Sequence, residues 1–362
     1  MSCEAGVRDD HDLALQLSRP APGGIATYVR GLVGALVALD ADPIVGLTPR
    51  GSVNLTELGV AIRRVAVPVA VLTRLWPWWS VGVPRASTVV HATSMAGPFG
   101  GGRSSAVHSV ALHDLLWRDE PDATTVRGRR FHEERLRLLA RRSDVRIFTS
   151  SPGLDDRLVA DGFDRARLHR IHLGVDDDTE AVDRDGVAGA LDRAGVRGPF
   201  TLYAGTREPR KNLDRLLVAH ARARAIGPDL GPLVVVGPSG WGSVNDEGAV
   251  VLGRVSRAML QGLYRDAAVV AYVPRHEGWG LPPVEALAQG TRVVASVTTP
   301  SVLGNPEVDL ADPLDIDAIT DALVRSLDRP TTESARAARR ATVANLTWRQ
   351  CALDHLAGWQ CA

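Results

Sequence analysis

The stretch HEGWGLPPVEALAQG, residues 276–290, is the most specific part of the chain, and the rest can be read outward from it. Two carboxylates, Glu277 and Glu285, flank a turn formed by Gly278, Trp279, Gly280 and Leu281 and a proline pair, Pro282 and Pro283. Prolines suit a first helical turn, where the missing N–H had no intrahelical partner to lose. Gly290 suits the exit of that helix. Upstream, AAVVAYV over 267–273 is a short apolar, β-branched run of the kind buried in a parallel sheet. The predicted order is strand, glycine turn, helix. Bare backbone at Gly278 and Gly280 lets a ligand approach, and the free N–H groups and dipole of a helix after Leu281 favour an anion such as phosphate. Glu285, in the first turn, is placed to accept hydrogen bonds from a diol such as ribose, and Glu277 to meet a second hydroxylated group. A nucleotide-sugar has both, with a diphosphate between. Taken singly, Glu277 reads more readily as a solvated loop residue and Glu285 as a carboxylate that stabilises the helix dipole by about 0.3–1 kcal/mol. Glycine turn, paired prolines and two carboxylates together favour a site.

The 362 residues suffice for two domains of about 150–200 residues each. An apolar content of 45% with 23% charged residues is that of a soluble globular protein. There is no run of about 18 apolar residues, and the start, MSCEAGVRDDHD, is polar and acidic, so neither a membrane-spanning helix nor a signal peptide is expected. The expected location is the cytoplasm, with or without association to the cytoplasmic face of a membrane. Cys3, Cys351 and Cys361 lie at the extreme ends without metal-ligand spacing, which argues against a zinc site or a disulfide framework. A formal charge of zero gives no sign of nucleic acid as a partner, and the arginines of 127–142 read as the solvated face of a helix. One compositional fact discriminates. Lys211 is the single lysine among 42 basic residues, and a compact ammonium is what guanidinium replaces poorly at a phosphate.

In chain order, a strand over 13–17 leads into Pro-Ala-Pro-Gly-Gly-Ile at 20–25 and an amphipathic helix over 26–39. That is the geometry of a phosphate or substrate loop, although a Gly23-Gly24 pair fits a plain tight turn as well. Further strands are predicted at 44–47, 61–67, 88–91, 107–112, 147–150 and 168–171, with helices between them, notably over 127–142. This alternation marks a doubly wound α/β domain. The segment 72–83 breaks it: Trp76, Trp78 and Trp79 around Pro77 read either as a core plug or as a face for a sugar acceptor or a membrane. His113, just past the strand at 107–112, points to the crevice where open α/β sheets bind ligands, or is a satisfied structural residue. The acidic, glycine-rich stretch 174–199 lacks a strand and is the expected domain boundary. Beyond it come a strand at 200–204, the loop GTREPRKN at 205–212, a helix over 213–225, strands at 233–236 and 250–252, a helix over 256–266, the focal stretch, a strand at 292–295 and a helix over 317–327. The tail, 348–359, reads as an amphipathic helix lying back on the first domain.

GTREPRKNLDRLL, VVVG, VVLGRV, LYRDAAVVAYVPRHEGWGLPPVEALAQG and VVAS, in this order and spacing, resemble the carboxyl-terminal domain of retaining GT-B glycosyltransferases of the family-4 type. GGIATYV, VVHAT, HDLLW and the segment from SPGLDDRL to LGVD extend the resemblance over nearly the whole chain. It implies an α/β protein of GT-B architecture, two Rossmann-like, doubly wound parallel-sheet domains facing a central cleft: an acceptor-binding domain over 1–175, a linker over 176–199, a donor-binding domain over 200–345, and the helix of 346–362 packed on the first. It also implies roles. Glu285 would bind the donor ribose and Glu277 the transferred sugar. The backbone from Gly278 through Trp279 and Gly280 to Leu281 would face phosphate or sugar oxygens. Lys211 with Arg210 would neutralise the diphosphate, Val255 would hold the base by its backbone, His113 would touch the sugar near the reacting carbon, and Gly24 would sit where acceptor and diphosphate meet. Many relatives place an arginine directly after the strand-ending glycine; here Thr206 follows Gly205 and Arg207 comes one step late. Arg207 therefore stays a donor-binding candidate, while Arg210, adjacent to Lys211, is favoured at the phosphates.

The activity implied by the resemblance is transfer of a hexose, mannose favoured, from GDP-mannose or a UDP-sugar to a hydroxyl on a glycan, lipid or small molecule, with retention. Neither metal nor cofactor is expected, because the positive charge is built in; Asp176 to Asp178 read as solvated, not as a metal site. The alternatives are a sugar-nucleotide epimerase, a phosphorylase, which would need a second lysine for its cofactor, and a catalytically silent partner subunit.

Overall fold

The computed structural model describes residues 12–16, 23–41, 44–50, 60–85, 87–100, 106–175, 182–240, 242 and 244–360. The chain divides into two compact units, residues 1–174 with 346–362, and residues 175–345.

The first unit is built on seven strands, β1 (Asp12–Gln16), β2 (Ile44–Arg50), β3 (Ala61–Pro68), β4 (Ser87–Ala92), β5 (Val107–Leu112), β6 (Val145–Thr149) and β7 (Leu168–Arg170). They pair in parallel in the order β3-β2-β1-β4-β5-β6-β7. Helices α1 (Gly24–Ala38), α2 (Val69–Leu75), α3 (Leu116–Asp119), α4 (Val126–Ala140), α5 (Pro152–Ala160) and, from the far end of the chain, α12 (Trp348–Gln360) accompany it. The second unit has strands β8 (Thr201–Ala204), β9 (Leu233–Val236), β10 (Val250–Gly253), β11 (Val269–Tyr272), β12 (Val293–Ser296) and β13 (Val308–Ala311), in the parallel order β10-β9-β8-β11-β12-β13. Every residue of β8, β9, β11 and β12 is buried, as parallel strands covered on both faces must be. Among their helices, α6 (Arg184–Arg193), α7 (Leu213–Ile226), α8 (Arg257–Asp266), α9 (Leu281–Ala288), α10 (Ile316–Asp328) and α11 (Glu333–Ala341), the pair α7 and α10 forms the core with Leu213, Leu216, Ala219 and Ala223 against Ile319, Ala322 and Leu323. Asp315 caps α10, its Oδ1 accepting from the N–H of Asp317 at 2.9 Å and of Ala318 at 3.1 Å.

Both sheets reverse strand order at one point, between β1 and β4 and between β8 and β11. Loops at the carboxyl ends of those strands are where such sheets bind ligands. This two-unit, Rossmann-like α/β architecture is the GT-B fold.

Several expectations need correction. The stretch 176–199 is not only linker: residues 184–193 form α6, capped by Asp183, whose Oδ1 accepts from Gly186 N at 2.9 Å, and with Val187 and Ala190 buried. A Cβ on Gly262 of α8 would stand 2.7 Å from Val187, so the two helices touch, and α6 belongs to the second unit. Strand β13 and helices α2 and α11 are additional to the elements expected from sequence. Asp176 to Asp178, Cys3 and Cys361 lie outside the described residues. Among the tryptophans, Trp76 is fully buried and donates through Nε1 to Val81 O at 2.9 Å, so it belongs to the core; Trp78 and Trp79 are 55% and 58% exposed. No described helix is long and apolar enough to cross a membrane.

Helix α12 is held to the first unit by shape and by a directed hydrogen-bond chain. A Cβ on Gly31 of α1 would lie 2.0 Å from the Trp348 ring, so only glycine admits that contact. His355 Nδ1 is 2.7 Å from the Cys351 carbonyl, which can only accept, so His355 carries its proton there. Tyr28 must then donate to His355 Nε2 (2.8 Å) and accept from His91 Nε2 (2.9 Å). His91 Nδ1 in turn accepts from Ser109 Oγ (2.9 Å), which accepts from Trp359 Nε1 (2.9 Å). Both imidazoles are neutral in this arrangement: burial pushes His91 well down and His355 down to about 4.

Candidate functional site

The reversal point of the second sheet gathers most of the candidate residues. The loop after β8 carries Lys211 and Arg210, and the loop after β11 carries Glu277; β8 and β11 are neighbours in the sheet. Asn212, in the left-handed region at φ 63°, turns the first loop into α7, and its side-chain amide donates to Val273 O at 2.9 Å and Pro313 O at 2.7 Å. Arg275 N donates to Arg210 O at 2.9 Å, which ties the two loops together.

Glu277 Oε2 is the meeting point. It accepts from Lys211 Nζ, from the Tyr272 hydroxyl at 2.5 Å and from Arg210 Nη1 at 3.3 Å. Lys211 also donates to the Tyr272 hydroxyl at 2.5 Å and stands 4.9 Å from the centre of that ring. Arg210 continues to His276 O at 3.0 Å and to Glu208 Oε1 at 2.5 Å. Burial alone would raise the Glu277 carboxyl, but Lys211 first, then Arg210, with hydrogen bonds from Lys211 and Tyr272, hold it at about 2. Burial lowers the Lys211 ammonium from its ordinary value, and Glu277 opposes that shift. The result is a desolvated group of two cations and two carboxylates in reach of one another.

The glycine turn that follows is braced from behind. Gly280 sits at φ 97° with its Cβ position 2.5 Å from Thr299 Cγ2, so a side chain there meets both strain and collision. Ser301 Oγ donates to Gly280 O at 2.6 Å, and Ser301 N to Trp279 O at 3.0 Å. Trp279 Nε1 is buried with no hydrogen-bond partner among the described residues. Leu281 opens α9, with Pro282 and Pro283 in its first turn, as the sequence predicts. Glu285, which falls in the second turn of α9 and not the first, is 7% exposed, accepts from the Tyr264 hydroxyl at 2.9 Å and faces Arg257 Nη1 at 3.5 Å. Val255 is half-buried in the turn between β10 and α8, after Gly253 at φ 70°.

Arg207 is not part of this cluster. It pairs with Asp246 and donates through Nη2 to Ser239 Oγ at 2.5 Å, on the β9 side of the sheet, so the structure brings Arg210 and not Arg207 to Lys211. Sequence reasoning also missed Tyr272 and Tyr264, the partners of the two glutamates. The signal was present: a tyrosine at the end of an otherwise apolar buried strand or helix face needs somewhere to put its hydroxyl.

In the first unit, His113 follows β5 and donates from Nε2 to Thr93 O at 3.0 Å. The carbonyl can only accept, so Nδ1 is the unprotonated nitrogen. Burial lowers the His113 pKa, with Thr93 and Asp114 opposing, and its ring meets Tyr28 edge-on at 4.9 Å. Gly24 opens α1 in an exposed position, while Gly23 before it takes φ 143° and needs to be glycine.

The chain is similar to known glycosyltransferases. The O-antigen chain mannosyltransferase B of Escherichia coli is 35% identical over 165 residues, 42% of this chain and 43% of that protein. The D-inositol 3-phosphate glycosyltransferase of Mycobacterium sp. (strain JLS) is 36% identical over 146 residues, 37% of this chain and 32% of that protein. The chain thus spans less than half the length of these curated relatives. Anabaena HepE, crystallised with UDP and glucose, superposes with a TM-score of 0.73 at 14% identity, covering 96% of this chain and 99% of that one. Residues 198–329, which hold Lys211, Glu277 and Glu285, match the family model described as Glycosyl transferases group 1.

Proposed function

We propose that this protein is a glycosyltransferase that moves a hexose, with mannose favoured, from a nucleoside-diphosphate sugar to an acceptor hydroxyl with retention of configuration. The observation that carries the reading is the Lys211–Glu277–Arg210–Tyr272 cluster at the reversal point of the second sheet, just before the α9 N-terminus. A diphosphate brought to Lys211 and Arg210 replaces Glu277 as their counter-ion. Glu277, released from two cations, then has acceptor capacity for the hydroxyls of the transferred sugar. Glu285, oriented by Tyr264, takes the ribose, and the half-buried backbone at Val255 takes the base. The mannose preference is supported by the relation to the mannosyltransferase named above.

When the glycosidic C–O bond breaks, its electron pair goes to the diphosphate oxygen. Fixed cations and helix N–H donors aimed at that oxygen are the largest catalytic contribution such a site can make. The departing oxygen takes the proton of the acceptor hydroxyl as the new C–O bond forms on the same face. On this reading Lys211 and Arg210 do without a divalent ion, so donor turnover is unchanged by a chelator. Among the first-unit residues, His113 and the loop at Gly23 and Gly24 are assigned to sugar and acceptor, and the exposed Trp78 and Trp79 to a glycan or lipid. The test is a thermal-shift titration with UDP, GDP and dTDP, followed by hydrolysis of the matching nucleotide-sugars. Stabilisation by one of them, with release of that nucleotide from its sugar, is expected; no response to any nucleotide overturns the proposal.

A further inference from the structure

Helix α4 buries a guanidinium whose terminal nitrogens have no partner among the described residues. Arg135 is 3% exposed, on the same face as Leu136 and Leu139, and its Nη1 and Nη2 are buried without hydrogen bonds. The other deeply buried arginines are treated differently: Arg167 donates to Val145 O and Leu139 O at 3.0 Å each, and Arg339 to Gly290 O at 3.2 Å and Pro330 O at 2.7 Å. Arg135 instead meets two aromatic faces, Phe99 with its centre 5.5 Å from the guanidinium carbon and Phe131 at 5.0 Å. Two cation–π contacts do not replace the hydrogen bonds a guanidinium makes in water, and an uncompensated buried charge is among the most costly features a core can carry. Burial holds its pKa down at about 10, with Glu134 opposing, so it remains charged at neutral pH.

Two of its neighbours lead towards the carboxyl end of the first sheet. Phe99 lies on the loop leaving β4, the same loop whose Thr93 carbonyl holds His113. One helical turn from Arg135, His132 stacks on Trp117 at 4.8 Å with its Nδ1 buried and without a partner among the described residues. Arg135 and Asp114 both act electrostatically on His132. Thr93, His113 and Asp114 stand at the carboxyl end of the first sheet, where a parallel sheet binds its ligand. A guanidinium fork with both terminal nitrogens unsatisfied matches two oxygens of a phosphate or carboxylate.

We propose that Arg135 is the receptor for an anionic oxygen group, phosphate or carboxylate, on the molecule that accepts the sugar. That this molecule is a sugar acceptor rests on the glycosyltransferase reading; the anion site does not. The experiment is thermal denaturation of the full chain with UDP and GDP at saturation, adding inorganic phosphate, acetate, or sodium chloride of matched ionic strength, for wild type, Arg135→Met and Arg135→Lys. Wild type is expected to gain several degrees from one oxyanion beyond the chloride control, and the responding anion identifies the group. Arg135→Met is expected to fold, to melt no lower than wild type without the anion, and to gain nothing from it; Arg135→Lys keeps part of the gain. An equal gain in Arg135→Met, or none in wild type with either anion, overturns the proposal. The nucleotide-induced shift is read separately: its absence beside an intact Arg135-dependent gain counts against the glycosyltransferase reading alone.

Discussion

Replacing Lys211 by Met keeps most of the side-chain volume and removes the one ammonium of the chain's side chains. Stability and turnover then change by different amounts. For stability, Glu277 sits at about 2 against an ordinary 4.5, which at about 1.4 kcal/mol per unit is at most about 3.5 kcal/mol of favourable interaction summed over its partners. The variant keeps Tyr272 and Arg210 as donors to that carboxylate and is relieved of a desolvated ammonium, so the net loss is about 1–2 kcal/mol. A folded carboxyl held below its unfolded value contributes stability above 4.5 that is lost as the pH falls towards 2; the variant, with a smaller depression, has less to lose over that window. For turnover, the proposed function sets this cation against the departing diphosphate, so about 10²–10³ in kcat is the expected cost of its removal. Release of nucleoside diphosphate from the donor, measured beside melting curves from about pH 3 to about pH 8, separates the two. A variant that turns over within about tenfold of wild type refutes the assignment of Lys211 to the leaving group.

The same geometry sets three other outcomes. Tyr264→Phe removes the hydroxyl that orients Glu285 and is expected to weaken nucleotide binding about tenfold, the worth of one hydrogen bond to a buried charge, by calorimetry; unchanged affinity contradicts the ribose role. Gly280→Ala forces a side chain into φ 97° against Thr299 and costs about 1–3 kcal/mol of stability with loss of turnover, whereas Gly24→Ala, with open space at its Cβ, leaves the stability within about 1 kcal/mol of wild type by denaturant melts. His91 and His355 are neutral when folded, with values below the unfolded 6.5, so their contribution is full above that pH and is lost on going down towards about 4. The loss is expected to show as a steep fall in melting point between neutral pH and about 5, and His355→Gln should flatten it.

The fold was legible because each strand carries its own sign. VVAS, LVVV and AAVVAYV are apolar runs with no polar face, which only a sheet covered on both sides accepts, and turn residues such as Asn212 and Gly280 open the helices after them. What escaped was decided by tertiary contact. Residues 184–193 look like linker because Arg184, Asp185, Gly186, Gly189, Asp192 and Arg193 leave few apolar positions between them, yet Val187 finds Gly262 and the helix forms. Trp76, Trp78 and Trp79 are equivalent in sequence, but it is Trp76 that packs with Val65 and Leu72. At the candidate site the ionisable residues were visible as residues, and their partners were not. Nothing in the spacing tells that Arg207 turns to Asp246, or that Tyr272 and Tyr264 complete the two carboxylates, because the Arg207, Tyr264 and Lys211 contacts join positions on different elements of the second unit. Arg135 was hidden for the opposite reason: within an arginine-rich helix its burial cannot be told from the solvated arginines around it.

The proposed function depends on recognition of a diphosphate through Lys211. Calorimetric binding of UDP against uridine, and of GDP against guanosine, to wild type and Lys211→Met measures that contribution alone. One diphosphate is predicted to bind at least about 100-fold more tightly than its nucleoside to wild type, and most of this difference to disappear in the variant. A difference of the same size in both proteins would show that the phosphates are held elsewhere.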